Sequence, residues 1–261
     1  MNKYYQIWSI NHKLNNPDIS RYISTFISYK LISRDIMKQK IKNKEFQDMK
    51  DGYGSIENWN VSNITDMSSM FRYCTNFNQD ISKWNVSNVT NMSLMFCGCE
   101  NFNQNISIWN VSDVTNMKGM FSCCYNFNQN ISKWNVQNVQ NMGHMFYYCY
   151  NFNQDLSKWN VSKVQDMMIM FYSCNKFNQD ISKWNVSNVT HMNHMFSYCN
   201  NFNQDISKWN VQNVQDMSYM FYCCKKFNQD ISKWNVKNVQ DMNSMFNFCE
   251  KLIIKPIWSK M

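Results

Sequence analysis

From Trp59 to Cys249 the large apolar residues recur with a period of 25 positions. Tryptophan stands at 59, 84, 109, 134, 159, 184, 209 and 234, and cysteine at 74, 99, 124, 149, 174, 199, 224 and 249. The unit W-N-V-x-x-V-x-x-M-x-x-M-F-x-x-C-x-x-F-N-Q-[DN]-[IL]-S-K occurs eight times with no insertion or deletion. A segment this short cannot bury its own apolar face, so successive units must stack on one another. Met67, Met70, Phe71 and Cys74 fall at i, i+3, i+4 and i+7, which predicts a short helical turn with Thr65 or Asp66 as its cap. Residues 80–86 bring together Ile81, Trp84 and Val86 and predict a short strand. One strand and one helical turn per unit describe a repeat solenoid of leucine-rich-repeat type. Eight coils spaced at about 4.8 Å make a rod or arc roughly 40 Å long.

Both ends break the pattern. After Cys249, Leu252 replaces the usual Phe, Ile253-Ile254-Lys255-Pro256 replaces Asn-Gln-Asp-Ile, and Trp258 arrives one residue early. Proline donates no ladder hydrogen bond, so residues 250–261 read as a C-terminal cap to the solenoid of residues 51–249. Asp51-Gly52-Tyr53-Gly54-Ser55 marks the junction with a head, residues 1–50. In the head, Ile19, Ile23, Phe26, Ile27 and Leu31 fit an amphipathic helix after Asn16-Pro17-Asp18, and a second helix starts at Ser33. Three readings of the head stay open. It is a cap over the first coil, an F-box-like adaptor segment (Pro17-Asp18-Ile19…Ile23-x-x-Phe26-Ile27), or a basic contact for a membrane or nucleic acid.

Charge bears on the third reading. The chain carries +8 overall, and the excess of Lys and Arg is concentrated in the head, notably Lys38-x-Lys40-x-Lys42-x-Lys44. The repeat body is close to neutral, which argues against nucleic-acid binding along it. With 5 glycines in 261 residues the chain lacks the material of phosphate-cradling loops. No nucleophile–base pair or paired-carboxylate motif appears, so no enzyme is expected. The N-terminus has no uninterrupted apolar h-region, and no run of about 18 apolar residues occurs. The expected location is therefore intracellular, without a transmembrane segment.

The repeat has a recognisable core. V-T-[DN]-M-x-x-M-F-x-x-C-x-x-F-N-Q-[DN]-I-S-x-W-N-V, with Met92-x-x-Met95-Phe96-x-x-Cys99 as an example, resembles the 25–26-residue repeat of BspA-like leucine-rich-repeat surface proteins. That family occurs in bacteria, including mycoplasma lipoproteins, and in protists and large DNA viruses. The resemblance covers residues 56–249. It implies a non-catalytic protein-binding scaffold, and its adhesin members imply binding to extracellular proteins where the chain is exported.

The columns carry candidate chemistry. Stacked cysteines stand near disulfide distance, but 11 is an odd number, and the expected compartment keeps thiols reduced. A buried thiol ladder follows. Cys97-x-Cys99 and the pairs Cys123-Cys124 and Cys223-Cys224 lack a zinc-spaced partner, and His144, His191 and His194 assemble no site. No metal and no cofactor is expected. Tryptophan, methionine and phenylalanine columns read as core, and the Asn78-Gln79 columns as amides bonding one another and turn backbone. Asn-Val-Ser sequons at 60, 85, 110, 160 and 185 arise from the repeat itself. The candidate partner-binding face is the predicted strand face bearing Ser82 and the lysine column Lys83, Lys133, Lys158, Lys183, Lys208 and Lys233, interrupted by Ile108. Lys118, Ile169 and Tyr219 give that face its individuality, and its partner is a protein.

Overall fold

A computed structural model describes residues 29–47, 51–253 and 255–260. The repeat folds as a solenoid with a single core, in which the Trp, Val, Met and Phe columns turn inward. Consecutive coils are joined by one parallel bridge each, running Asp66, Asn91, Asn116, Asn141, Asp166, His191, Asp216, Asp241. These are isolated bridges, with no extended strand among the described residues.

The strand and the helical turn do not lie where the sequence pattern puts them. Residues 80–86 form turns instead of a strand, closed by Trp84 N–H to Ile81 O at 3.1 Å. The inter-coil ladder runs through the stretch predicted as a helical turn. There Met67, Ser69, Phe71 and Tyr73 donate to Asn91, Ser93, Met95 and Cys97 of the next coil at 2.7–2.9 Å. The intervening Met70, Arg72 and Cys74 donate instead to Met67, Ser69 and Phe71, three residues back. Asp66 caps no helix; its Oδ1 accepts from Ser68 N–H at 2.7 Å in an Asx-turn.

Nested turns of this kind require left-handed backbone. Ser69 (φ 57°) and Tyr73 (φ 63°) hold it in the first coil, and the same two positions hold it in every later coil. A positive φ at the third residue is what a type II turn demands. Only Gly98 and Gly119 among these positions are glycine, so the strain, of order 1 kcal/mol or more at each remaining site, is offset by the ladder and the core beneath it.

Three side-chain systems lock the stack. From Trp84 to Trp234 each indole N–H reaches back to the carbonyl of the Ile or Leu column, as Trp209 Nε1 does to Ile181 O at 3.1 Å. The thiols do likewise, Cys149 Sγ donating to Phe121 O at 3.0 Å. All 11 cysteines are free thiols. The Asn78 column accepts the backbone N–H of the next coil, as in Asn103 N–H to Asn78 Oδ1 at 2.9 Å, and Gln104 Nε2 reaches Asn78 O at 3.0 Å. Phenylalanines stack in offset pairs, Phe171 on Phe196 at 5.7 Å and 3°.

Of the head, helix α1 (Arg34–Lys42) is described. Ser33 caps it by accepting Ile36 N–H, and Met37 and Ile41 face the core. Leu31 lies outside any helix, bridged to Asn60 and exposed. Lys40 also departs from expectation. Instead of joining a basic strip, it is buried and paired with Asp51, with Glu45 at 3.7 Å. Alternate residues of a helix point to different faces, so Lys38-x-Lys40-x-Lys42 cannot form one. Residues 17–27, which carry the F-box-like reading, lie outside the described residues.

The ladder is directional over its main run: the N–H groups of Met67, Ser69, Phe71, Tyr73 and their equivalents point toward the C-terminal coil, while the residue before each bridge, as Thr90 to Thr65 O, points back. The first coil therefore has carbonyls with no preceding coil to serve, and Arg34 takes two of them, Nε to Asp66 O and Nη2 to Ser68 O, both at 2.9 Å. At the other end, the N–H groups of Met242, Ser244, Phe246 and Phe248 meet no acceptor among the described residues. Arg34→Ala is expected to cost about 2 kcal/mol, the range of one or two charge-assisted bonds. The loss should be local. Amide exchange should quicken at Met70, Arg72 and Cys74 and stay unchanged around Met170, and uniform quickening along the solenoid would show that Arg34 is not an end cap.

Candidate partner-binding surface

Two columns precede each core cysteine, the variable pair of Met-Phe-x-x-Cys. In the later coils they read Tyr147-Tyr148, Tyr172-Ser173, Ser197-Tyr198, Tyr222-Cys223 and Asn247-Phe248. The second position of each pair is left-handed, and the ladder beneath fixes the backbone, so the rings stand in line along the solenoid. Tyr148 contacts Tyr172 at 5.5 Å, Tyr172 contacts Tyr198 at 5.3 Å, Tyr198 contacts Tyr222 at 5.4 Å, and Tyr222 contacts Phe248 at 5.3 Å. Tyr125 and Tyr150 stack beside them at 5.3 Å. His194 lies flat on Tyr219 at 4.6 Å. Tyr150, Tyr198 and Phe248 are exposed. The result is a continuous aromatic strip.

The strip is neutral. Burial and the neighbouring Tyr148 and Tyr198 phenols push the Tyr172 hydroxyl up to about 12, and burial raises those of Tyr125, Tyr147 and Tyr150. Burial lowers His144 and His194 below the ordinary histidine value, with Lys118 adding to the effect at His144. At neutral pH the surface thus offers phenol hydroxyls and imidazoles without net charge.

The lysine column lies elsewhere. Lys83, Lys133, Lys158, Lys183, Lys208 and Lys233 are exposed, each at the tip of the turn that Ser82 and its equivalents share, and Ile108 is exposed in the same column. Those turns lie about half a coil along the chain from the ladder. Lys118, Ile169 and Tyr219 sit on the ladder side, so the structure separates the residues that the sequence placed on one face. The aspartates three residues before the lysines serve the backbone. Asp80, Asp155, Asp180, Asp205 and Asp230 accept hydrogen bonds from the serine two residues on, which holds their carboxyls below the ordinary range, and the lysines add to that effect. A polar groove of about 440 Å³ lined by Gln140, Lys163, Gln165, Asn188 and Thr190 lies beyond the ladder. Among the described residues no three His, Cys, Asp or Glu side chains gather as a metal site, and no helix is long and apolar enough to cross a membrane.

The pattern that builds this surface is matched by the family described as "Mycoplasma protein of unknown function, DUF285", over residues 40–159 and 144–257. The chain belongs to the DUF285 family. That membership bears out the resemblance to BspA-like leucine-rich repeats drawn from the Met-x-x-Met-Phe-x-x-Cys core. Among solved structures, the DUF285 chain is similar to a leucine-rich repeat protein from Eubacterium ventriosum, with a TM-score of 0.46 and 16% identity over 66% of its own length. The matched part spans 43% of that protein. No curated protein matches the chain.

Within the DUF285 repeat, sequence reasoning passed over the strip because it treated the two residues before each cysteine as unassigned. Aligning the units by coil and reading that pair down the column would have shown the tyrosines.

Proposed function

We propose that the chain is a non-catalytic protein-interaction scaffold. Its eight coils are closed at one end by the head acting as a cap, and its partner docks on the aromatic strip from Tyr147 to Phe248. The observation that carries this reading is the unbroken run of half-exposed and exposed rings at otherwise variable positions. Tyrosine offers a large apolar face and a hydroxyl at low entropic cost, which is why it concentrates at binding hot spots. A soluble surface that strings such rings together is marked as an interaction site. The lysine column at the turn tips is a second face of the same scaffold. Its dispersed, solvated charges favour encounter and orientation more than affinity.

The reading is tested by selecting displayed random peptides on the wild-type protein and re-testing the selected pool on two variants. One is Tyr172→Ser/Tyr198→Ser, the other Lys133→Glu/Lys158→Glu/Lys183→Glu. The pool is expected to lose most of its binding to the tyrosine variant and little to the lysine variant. The reverse result would move the site to the turn tips, and retention by both variants would remove both faces from consideration.

A further inference from the structure

Three of the 11 cysteines, Cys97, Cys123 and Cys223, stand outside the continuous core. The other eight pack within or against it, and seven of those donate S–H to a phenylalanine carbonyl of the preceding coil. Cys97 holds the first position of the variable pair in the second coil, and Cys123 the second position in the third. The same offset brings Tyr172 to Tyr198 and Tyr222 to Phe248, each pair in contact at 5.3 Å. The two columns face the same way, since Ser122 Oγ, one coil on from Cys97, lies 3.9 Å from Cys123 Sγ. Gly98 N–H donates to Ser122 O at 2.7 Å, so the peptide after Cys97 lies alongside the peptide before Cys123. With chains about 4.8 Å apart and α-carbons about 3.8 Å apart along each, the two cysteine α-carbons are about 6 Å apart, inside the roughly 4.4–6.8 Å that a disulfide spans.

We propose that Cys97 and Cys123 are a peroxide-sensitive thiol pair, in which Cys97 is oxidised first and Cys123 then closes a disulfide between the second and third coils. Arg72 sets that order. Its guanidinium donates to Tyr73 Oη at 3.0 Å, lies over the Tyr73 ring at 4.7 Å and is within hydrogen-bonding reach of the Cys97 sulfur. The thiolate is the attacking species, and a neighbouring cation favours it. Cys123 has the opposite setting. Burial raises its thiol, the Ser122 hydroxyl opposes that, and Cys97 and Glu100 add to the rise.

The oxidant is hydrogen peroxide. The Cys97 thiolate attacks one peroxide oxygen, the O–O bond breaks, and the departing hydroxide takes up a proton to leave as water. Cys97 is then a sulfenic acid. The Cys123 sulfur attacks Cys97 Sγ, the S–O bond breaks, and the hydroxyl leaves with the Cys123 proton as a second water. Two thiols thus give up two electrons, and one peroxide becomes two waters. The other thiols are excluded by position. Cys99 and Cys124 also stack one coil apart, but both are sealed in the core and donate to carbonyls. Cys223 is half-buried like Cys123, yet Ser197 and Asn247 stand where a partner thiol is needed. Cys123 acts on the Tyr125 and Tyr147 hydroxyls, so the crosslink forms where the aromatic strip begins. The pair stands whether or not a partner docks on that strip.

The test treats the folded full chain with a small excess of hydrogen peroxide, alkylates the remaining thiols in denaturant and maps the unreduced digest by mass spectrometry. Cleavage after Lys118 separates the two cysteines, so their disulfide appears as a crosslinked peptide that dithiothreitol removes. That crosslink is expected, with the core thiols recovered alkylated. Cys123→Ser should leave a sulfenic acid on Cys97 that dimedone traps, and Cys97→Ser should abolish the crosslink. Arg72→Ala should slow crosslinking about tenfold, and Arg72→Lys should restore most of the rate. Circular dichroism confirms that the variants stay folded, and the wild-type measurement stands without them. Absence of the crosslink in wild type overturns the proposal, as does a disulfide that joins core thiols or Cys223 equally fast. A rate unchanged by Arg72→Ala, or dimedone trapped on Cys123 instead of Cys97, overturns the order of the two steps.

Discussion

As pH rises past about 9, the stability of the chain should collapse within one or two units. Cys99, Cys124, Cys149, Cys174, Cys199 and Cys224 are fully buried. Desolvation raises every one of them above the ordinary thiol value. Each also donates its S–H to a phenylalanine carbonyl, as Cys174 does to Phe146 O at 3.0 Å, and a thiolate could not. The folded state therefore holds protons that the unfolded chain releases. For a group raised on folding, the stabilisation is complete below the unfolded pKa and is lost as pH climbs toward the folded one. The slope is about 1.4 kcal/mol per pH unit per thiol, or roughly 8 kcal/mol per unit for six. Urea midpoints at pH 8, 9, 9.5 and 10 measure it. Cys149→Ala/Cys174→Ala should lower stability at pH 8 yet flatten the alkaline slope by about 2.7 kcal/mol per unit. A slope unchanged by that pair would show that the thiols do not control the transition.

Trp209→Ala is expected to cost about 4–5 kcal/mol. The indole is 3% exposed and stacks on Trp184 at 6.4 Å and on Trp234 at 6.5 Å. Large-to-small replacement of a buried aromatic costs about 3–5 kcal/mol, and loss of the indole bond to the Ile181 carbonyl, which keeps its bond from Trp184 N–H, adds up to about 1 more. In a structure held by nearest-neighbour contacts, a lesion at this point should also split unfolding into two phases. Trp258→Ala is the control. This ring stacks on one side alone, on Trp234 at 6.5 Å with Phe246 tilted against it at 6.2 Å, and donates to Ser232 O from a more exposed site, so its loss should cost about 1 kcal/mol and leave one transition. Equal losses at the two sites would mean that burial in the stack is not what the indoles contribute.

The solenoid, its register and its inward columns were legible because a period of 25 with no insertion leaves little freedom. Which stretch carries the ladder was not. Met67, Met70, Phe71 and Cys74 show the spacing of a helical stripe, but two successive four-residue turns with a left-handed third residue give the same in-out-out-in order. Periodicity alone cannot tell an N–H that bonds four residues back from one that bonds the next coil. Glycine, which usually betrays left-handed backbone, is nearly absent because packing tolerates Ser69, His144 and Tyr198 there. The candidate site was missed for a related reason. Lys83 and its successors stand out because they repeat, whereas the tyrosine strip is built from positions that change from coil to coil. Lys40 looked like part of a basic run until the helix turned it onto Asp51.

The directional ladder also governs how copies of this chain can meet. An ordinary sheet edge offers alternating donors and acceptors and invites any other edge to pair with it, the usual route to aggregation. Here the C-terminal edge, among the described residues, presents the four donors of Met242, Ser244, Phe246 and Phe248 and, beside them, the Gln240 carbonyl in the column that accepts from a following coil, so two such edges match poorly. Its complement is the carbonyl row of a first coil, where Arg34 is already seated. Fibre growth is thereby biased to one polarity, tail onto head, where the Arg34 guanidinium already occupies part of the carbonyl row.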